Sequence, residues 1–355
     1  MLGIAWYYTD VLNDGAFKVK RELPERDLVV RSVAEGAITL APSGDAADAW
    51  QQDGVFGLEW EGGYAQVGKI LDLHKDRVVR ELRSGTPPRP GTRVRLDSFA
   101  YRPDPGAIGL TFSEVPIATP LGEAPAWRLA GTRDTWAIFV HGHRSSRPEA
   151  LRLLPVLVAR GHPSLVITYR NDPEAPLSPD KRHNFGATEW EDLAAAMEYA
   201  RSQGARRFVL IGYSMGGGIV MALMERPQLA QQVVGLILDA PLADLGETID
   251  FRAERRGLPQ PFTDVAKRLA ALRFDVDFGR LDYVKRSKEL KTPVLLFHGD
   301  ADTTAAISVS DAFARERPDI VSYVRVAGAG HVRSWNADPA AYEAAVRAFL
   351  QRVAP

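Results

Sequence analysis

The pattern of apolar and polar positions changes near Gly109. Before that residue, short β-rich runs are separated by turn residues, and no helix-period run of useful length occurs. The runs lie at 16–20, 27–33, 55–60, 78–82 and 93–96. Short strands separated by turns are typical of antiparallel sheets. Residues 1–108 are therefore predicted to form a small, mostly β accessory domain.

From Gly109 onwards, apolar strands alternate with helices. Two opening strands at 110–117 and 126–129 are predicted to be antiparallel. Further strands are predicted at 136–140, 164–169, 208–211, 233–238, 293–297 and 321–326, and a last amphipathic helix at 342–353. Such alternation is typical of a mainly parallel sheet with helices on both faces. Residues 109–355 are thus predicted to form a doubly wound α/β domain.

One strand-to-helix turn in this domain carries a serine. The apolar run 208–211 leads into Gly212-Tyr213-Ser214-Met215-Gly216, and a second apolar run, 219–224, follows. Such a turn holds the serine in a strained backbone conformation with its hydroxyl above the sheet edge. Glycines at its two ends avoid the crowding that side chains would cause. The stretch resembles the nucleophile elbow of the α/β-hydrolase fold, and the resemblance covers roughly residues 109–355.

Two further strand ends carry the residue types that activate a serine. The stretch His298-Gly299-Asp300-Ala301-Asp302 resembles the family's H-G-x-x-D signature and implies Asp302 as the acid. The stretch 327–331 resembles the loop that delivers the family's base, which implies His331. The order serine, acid, histidine is that of α/β hydrolases. In this scheme His331 takes the proton of Ser214, and Asp302 orients the imidazole.

Composition cannot choose between the two aspartates that follow the same strand. By resemblance to the family's spacing, Asp302 is the acid, and Asp300 is assigned to hydrogen bonds that shape the turn.

Two backbone amides are expected to stabilise the oxyanion. One is the Met215 amide at the start of the helix, and the other, by resemblance to the family's H-G-x loop, is the His143 amide. A metal site built from His141 and His143 with Asp172 or His183 is the alternative. No H-x-x-x-H helix spacing supports it, so neither a metal nor a cofactor is expected.

By the same resemblance, the helix-rich insertion at about 242–291 is expected to form a short helical cap beside the pocket. Tyr169 and Trp335 lie close enough in the topology to line that pocket. For each of them, a place in the hydrophobic core is an equally favoured interpretation.

Composition excludes several classes of protein. The chain has 355 residues, of which 45% are hydrophobic and 25% charged, so a sizeable core can be buried. The formal net charge of −1 gives no reason to expect a nucleic acid partner. With no cysteine, disulfides and thiolate chemistry are excluded.

The apolar stretch Leu2–Tyr8 is too short to span a membrane, and no export signal accompanies it. It is interpreted as a buried edge segment of the first domain, with a missing membrane anchor as the alternative. A cytoplasmic location is favoured for the chain, and an anchored or exported protein is the alternative.

Together these observations favour a serine hydrolase that resembles esterases and prolyl-oligopeptidase-like peptidases. A carboxylic ester is the favoured substrate, cleaved through an acyl-Ser214 intermediate. One alternative is an aminopeptidase or amidase in which Asp172 or Glu174 binds a free amino terminus. Another is a partner-binding protein on a hydrolase scaffold. For the β domain, substrate gating, partner binding and structural support all stay open.

Overall fold

The computed structural model describes residues 2–20, 25–43 and 48–355, and the side chains of 2–5, 48 and 49 are not described. Its first sheet is a closed antiparallel barrel with the strand order β1-β2-β5-β4-β3-β6. The strands are β1 Leu28–Ala34, β2 Ala37–Pro42, β3 Phe56–Trp60, β4 Gly63–Leu73, β5 Val78–Ser84 and β6 Arg93–Asp97. Alternate residues of these strands fill the interior, as in Leu28 and Val30 of β1. The predicted mostly β unit is confirmed.

The second sheet has eight strands in the order β14-β13-β12-β11-β9-β10-β8-β7. They are β7 Ser113–Thr119, β8 Gly122–Leu129, β9 Thr135–Val140, β10 Ser164–Ile167, β11 Arg207–Tyr213, β12 Val233–Asp239, β13 Val294–Gly299 and β14 Val321–Val326. The pair β7–β8 is antiparallel, as the sequence predicts, and the pair β8–β10 is antiparallel too, so β8 runs against its two neighbours. The remaining pairs are parallel. The α/β fold class is confirmed.

Helices cover both faces of this sheet. In chain order, the α-helices of the described residues are α1 Leu2–Leu12, α2 Leu154–Ala159, α3 Trp190–Ser202, α4 Met215–Met224, α5 Pro227–Ala230, α6 Leu245–Glu254, α7 Gln260–Phe274, α8 Ile307–Glu316, α9 Ser334–Ala337 and α10 Pro339–Val353. Alternate side chains of β11 point to opposite faces. Leu210 packs with α3, α4 and α8, whereas Ile211 packs with α2 and α10. A strand buried on both faces explains the continuous apolar run.

The amino-terminal segment differs from its prediction. Residues 2–12 form helix α1, which packs on α7 rather than on the barrel: the Arg273 guanidinium lies 3.8 Å from the Trp6 ring and 2.8 Å from the Asp10 carboxylate. The run 16–20 is not a strand, because a π-helical turn, Asn13–Phe17, is followed only by a bridge between Lys18 and Arg182. Tertiary contacts with the α/β domain override the local alternation here.

The barrel docks on the α/β domain through buried polar groups. The Asn336 side chain donates to the carbonyls of Val55 (2.6 Å) and Ser98 (2.9 Å). In the barrel, the fully buried Arg80 donates to the carbonyls of Trp50 (3.1 Å) and Gly68 (2.9 Å), and burial lowers the pKa of Arg80 to about 10. The two domains therefore share a specific interface.

Across the part of the chain that the structure describes, no helix combines the length and the apolar character needed to cross a membrane.

Candidate active site

Ser214 sits on a strained turn between β11 and α4. Its backbone angles are φ 49° and ψ −118°, in a region that residues with side chains rarely adopt. A Cβ atom at Gly216 would lie 2.1 Å from the Val140 carbonyl oxygen, and one at Gly212 would lie 2.7 Å from the Gly216 carbonyl oxygen. Only glycine fits at both positions, which is the crowding that the sequence predicts.

The structure brings Ser214, His331 and Asp302 into one hydrogen-bonded chain. Ser214 Oγ lies 2.8 Å from His331 Nε2, and His331 Nδ1 lies 2.7 Å from Asp302 Oδ2. Each residue follows the carboxyl end of a strand, β11, β14 or β13, and those ends meet at one edge of the sheet. The Ser214 and Asp302 side chains are buried, and His331 faces the cavity.

Asp302 is held as an anion by a dense set of donors. Its Oδ1 accepts hydrogen bonds from the amides of Thr304 (2.7 Å) and Ala305 (2.9 Å). Burial by itself would raise the pKa of Asp302, but hydrogen bonds with His298 and His331 hold it well below its usual range. A carboxylate that stays ionised can orient an imidazole throughout the working pH range.

His298 was not singled out from the sequence. Its Nε2 lies 3.2 Å from Asp302 Oδ2, and its Nδ1 lies 2.7 Å from Ser310 Oγ. The sequence did contain a signal for His298, because this residue is the first of the motif that contains Asp302. Its contact with the carboxylate depends on the turn geometry, which the motif alone does not give.

Asp300 lies elsewhere in the same turn. Its Oδ1 accepts a hydrogen bond from the Gly328 amide at 2.7 Å and so links the loops that follow β13 and β14. The aspartate next to His331 is therefore Asp302.

The loop after β9 lies directly against the serine. A Cβ atom at Gly142 would lie 3.1 Å from Ser214 Cβ, and the Gly142 amide donates to Glu149 at 2.8 Å. His141 anchors this loop, because its Nε2 lies 2.8 Å from Asp172 Oδ2. Burial lowers the pKa of His141, but Asp172 more than compensates and raises it. The amides predicted to stabilise the oxyanion are those of His143, in this loop, and Met215, at the start of α4, and their role stays a prediction.

The His143 imidazole is held neutral. Its ring meets the His183 ring edge-on, with centroids 4.6 Å apart. Burial lowers the pKa of His143 to about 3 and that of His183 to about 4. Although two histidines meet here, the described residues contain no group of three or more side chains suited to hold a metal.

A cavity of about 270 Å³ opens beside Ser214 and His331. Its walls are mainly apolar, with Leu245, Ile249 and Phe262 of the cap on one side. Residues of α1 and the turn after it supply another wall, which the sequence did not predict; they are Tyr8, Val11, Leu12, Gly15 and Ala16. The described lining contains no carboxylate, whereas Arg252 and Arg256 contribute to it.

Tyr169 and Trp335 do not line this cavity, so their prediction as pocket residues is corrected. The Tyr169 hydroxyl donates to the carbonyls of His141 and Gly142 from behind the loop, at 3.1 Å each. The Trp335 ring is buried against Tyr101, with centroids 5.9 Å apart. Both are core aromatics, because their side chains are buried within the two apolar clusters of the α/β domain.

Comparison with known protein families matches two parts of the chain. Residues 137–345 match the model described as "Alpha/beta hydrolase family", and residues 29–97 match a "Domain of unknown function (DUF8805)". The first match covers more than half of the chain, so this protein belongs to the alpha/beta hydrolase family and is a hydrolase of that class. The second match coincides with the barrel. No curated protein matches the chain.

Solved structures share the fold at low identity. The Pyrococcus furiosus esterase Pf2001 is 20% identical, with a TM-score of 0.56, over 72% of this chain and 98% of its own. Est1E from Butyrivibrio proteoclasticus, solved with ferulic acid, is 16% identical, with a TM-score of 0.52, over 67% of this chain and 98% of its own. A putative hydrolase from Agrobacterium vitis S4 is 18% identical, with a TM-score of 0.51, over 67% and 98%. At these identities the likeness shows the fold alone.

Proposed function

We propose that this protein is a serine esterase that cleaves a carboxylic ester through an acyl-Ser214 intermediate. The observation that carries the proposal is the chain from Ser214 Oγ to His331 Nε2, 2.8 Å, and from His331 Nδ1 to Asp302 Oδ2, 2.7 Å. A serine hydroxyl is a poor nucleophile at neutral pH, and a neighbouring oriented imidazole overcomes that weakness.

In the proposed reaction, Ser214 Oγ attacks the ester carbonyl carbon while His331 Nε2 takes its proton. Asp302 orients the imidazole and stabilises the imidazolium ion that forms. The tetrahedral intermediate collapses as His331 returns the proton to the leaving alcohol oxygen. Water, deprotonated by His331, then attacks the acyl carbonyl and releases the acid and free Ser214.

The oxyanion of each intermediate needs donors that are already in place. The amides of Met215 and His143 are proposed for this role. The close packing of Gly142 on Ser214, and the anchoring of its loop by Tyr169 and Asp172, support a rigid donor position. Preorganised donors stabilise the transition state without a cost of reorganisation.

The cavity favours an ester over a peptide with a free amino terminus. A cationic amino group needs a carboxylate partner, and the described lining offers none. The two acids considered for that role are engaged elsewhere: Asp172 binds His141, and Glu174 binds Arg147 at 2.7 Å. The mainly apolar walls suit the acyl chain of an ester. Esterase activity of a structural neighbour is in line with this choice.

Labelling with a fluorophosphonate, followed by turnover of a panel of nitrophenyl esters and aminoacyl anilides, tests the proposal. We expect label on Ser214, its loss in Ser214→Ala, and hydrolysis of esters in preference to anilides. Label on another serine would overturn the nucleophile assignment. Faster turnover of the aminoacyl anilides would overturn the ester assignment. Activity that is lost in EDTA and restored by zinc or manganese would contradict the mechanism.

A further inference from the structure

The mainly apolar cavity has positively charged side chains on its cap side. Arg252 in α6 and Arg256, one turn further on, both line it. Arg144 follows His143 in the loop beside Ser214, and its guanidinium donates to the Asp14 carbonyl oxygen at 3.2 Å. Two separate elements thus bring three positive charges to the region of the pocket.

Among the residues that the structure describes, no carboxylate lies within ion-pair distance, 4.0 Å, of Arg144, Arg252 or Arg256. Two other basic side chains of the cap region do have acidic partners: Lys267 pairs with Asp250, and Arg273 pairs with Asp10 at 2.8 Å. What sets Arg252 and Arg256 apart from the other arginines of the cap is that they line the cavity beside Ser214.

The three arginines also affect one another. Burial lowers the pKa of Arg252, and the positive charges of Arg256 and Arg144 lower it further. An arginine stays protonated at neutral pH, so this repulsion persists when the cavity holds no anion. A bound anion would relieve it, because guanidinium groups form charge-assisted hydrogen bonds with carboxylate or phosphate oxygens.

We infer that Arg252, Arg256 and Arg144 form a subsite for an anionic group of the substrate, either a carboxylate or a phosphate. The inference rests on the proposed ester hydrolysis at Ser214. The substrate class is then an ester with an apolar acyl chain that carries a carboxylate or phosphate group elsewhere in the molecule. The apolar walls and the arginines act on different parts of the same molecule.

Matched pairs of esters test the subsite. The butyrate ester of 4-hydroxybenzoate and that of its methyl ester differ in charge on the alcohol side. Mono-4-nitrophenyl glutarate and 4-nitrophenyl valerate differ in charge on the acyl side. Comparing wild type with each variant for the same ester removes differences in intrinsic reactivity between the esters.

We expect Arg252→Gln and Arg256→Gln to lower kcat/KM about tenfold for at least one anionic ester, chiefly through KM, with the neutral partner changed less than about twofold. Arg255→Gln is the control, because it removes a charge between them that does not line the cavity. Equal effects on anionic and neutral esters, or an equal effect of Arg255→Gln, would overturn the subsite.

A binding measurement keeps this inference separate from the proposed function. In Ser214→Ala, calorimetry with hexanoate, hexyl phosphate and hexan-1-ol reports binding without turnover. We expect one or both anions to bind more tightly than the alcohol, and Arg252→Gln to abolish the difference. If hexanoate binds more tightly than hexyl phosphate, the subsite prefers a carboxylate; the reverse order indicates a phosphate. Arginine-dependent binding without ester hydrolysis would overturn only the esterase proposal, and hydrolysis without any anion preference would overturn only the subsite.

Discussion

Asp302 and Asp300 are two residues apart, yet their surroundings separate their roles. Asp302 is buried and contacts two histidines and two amides, whereas Asp300 is exposed and accepts a hydrogen bond from the Gly328 amide. The sequence could not separate them by composition, and the family spacing pointed to Asp302. Of the two, Asp302 is the one that lies against His331, and its role as the acid stays a prediction.

We expect Asp302→Asn to lower kcat by up to about 10⁴-fold, because an amide cannot stabilise the imidazolium or maintain the correct tautomer. Asp300→Asn should cost far less, since Asn keeps an acceptor for the Gly328 amide. Steady-state kinetics of both folded variants check this. A large loss in Asp300→Asn with near-normal turnover in Asp302→Asn would show that the wrong aspartate is named.

A second prediction concerns the buried histidine pair. The unfolded chain binds a proton at each histidine below about pH 6.5, but in the folded protein the pKa of His183 is about 4. The free energy that favours the neutral, buried form is therefore fully present above pH 6.5 and is lost as pH falls toward 4. For one such group the loss between pH 6.5 and 5 is about 2 kcal/mol.

Urea unfolding at pH 6.5 and at pH 5 measures this effect. We expect His183→Gln to show a smaller decrease in the free energy of unfolding than wild type, by about 2 kcal/mol. The difference reports the histidine pair, because His183→Gln also removes the effect of His183 on the pKa of His143. An identical decrease in both proteins would mean that His183 is protonated equally in the folded and unfolded states.

At the scale of secondary structure elements, α1 is where sequence and structure differ most. It lies outside the barrel and beyond the residues matched by either family model, yet it and the turn after it form one wall of the cavity. Two contacts tie this segment to the site: the His183 amide donates to the Phe17 carbonyl at 2.7 Å, and Arg144 donates to the Asp14 carbonyl. Sequence periodicity indicated an apolar segment but not the surface that it covers.

The length of acyl chain that the pocket accepts should depend on this wall. We expect Leu12→Trp to lower kcat/KM for an octanoate ester at least about tenfold while an acetate ester changes little, because the larger ring fills part of the cavity. Tyr7→Ala, on the exposed face of α1, is the control. Nitrophenyl esters of increasing chain length provide the measurement. An unchanged chain-length profile in Leu12→Trp would show that the acyl group binds elsewhere.

For the whole molecule, the contact between the barrel and the α/β domain is the feature with consequences for stability. Asn336 is fully buried. Its side-chain amide accepts a hydrogen bond from Arg152 at 2.9 Å and donates hydrogen bonds to the Val55 and Ser98 carbonyls of the barrel domain. Nearby, Arg333 donates to Gln52, and Gln52 also lies against Gly330, next to His331. The barrel therefore supports the loop that carries the proposed base.

We expect Asn336→Ala to lower the free energy of unfolding by about 2–4 kcal/mol, because it leaves buried partners in both domains unpaired. Gln351→Ala, on the exposed side of α10, should change it by less than about 0.5 kcal/mol. Urea unfolding followed by fluorescence is the measurement. Equal stability of the two variants would show that water replaces these hydrogen bonds without cost.

The sequence by itself determined the division into a β domain and an α/β domain, because periods of two and 3.6 residues are properties of local backbone geometry. Through its resemblance to the α/β hydrolases it also pointed to Ser214, Asp302 and His331, whose side chains form one hydrogen-bonded chain in the structure. Only the tertiary structure decided that α1 forms a wall of the pocket and that Tyr169 and Trp335 do not line it. It alone also placed Arg144 near Arg252. These features depend on contacts between segments far apart in the chain, which no local pattern specifies.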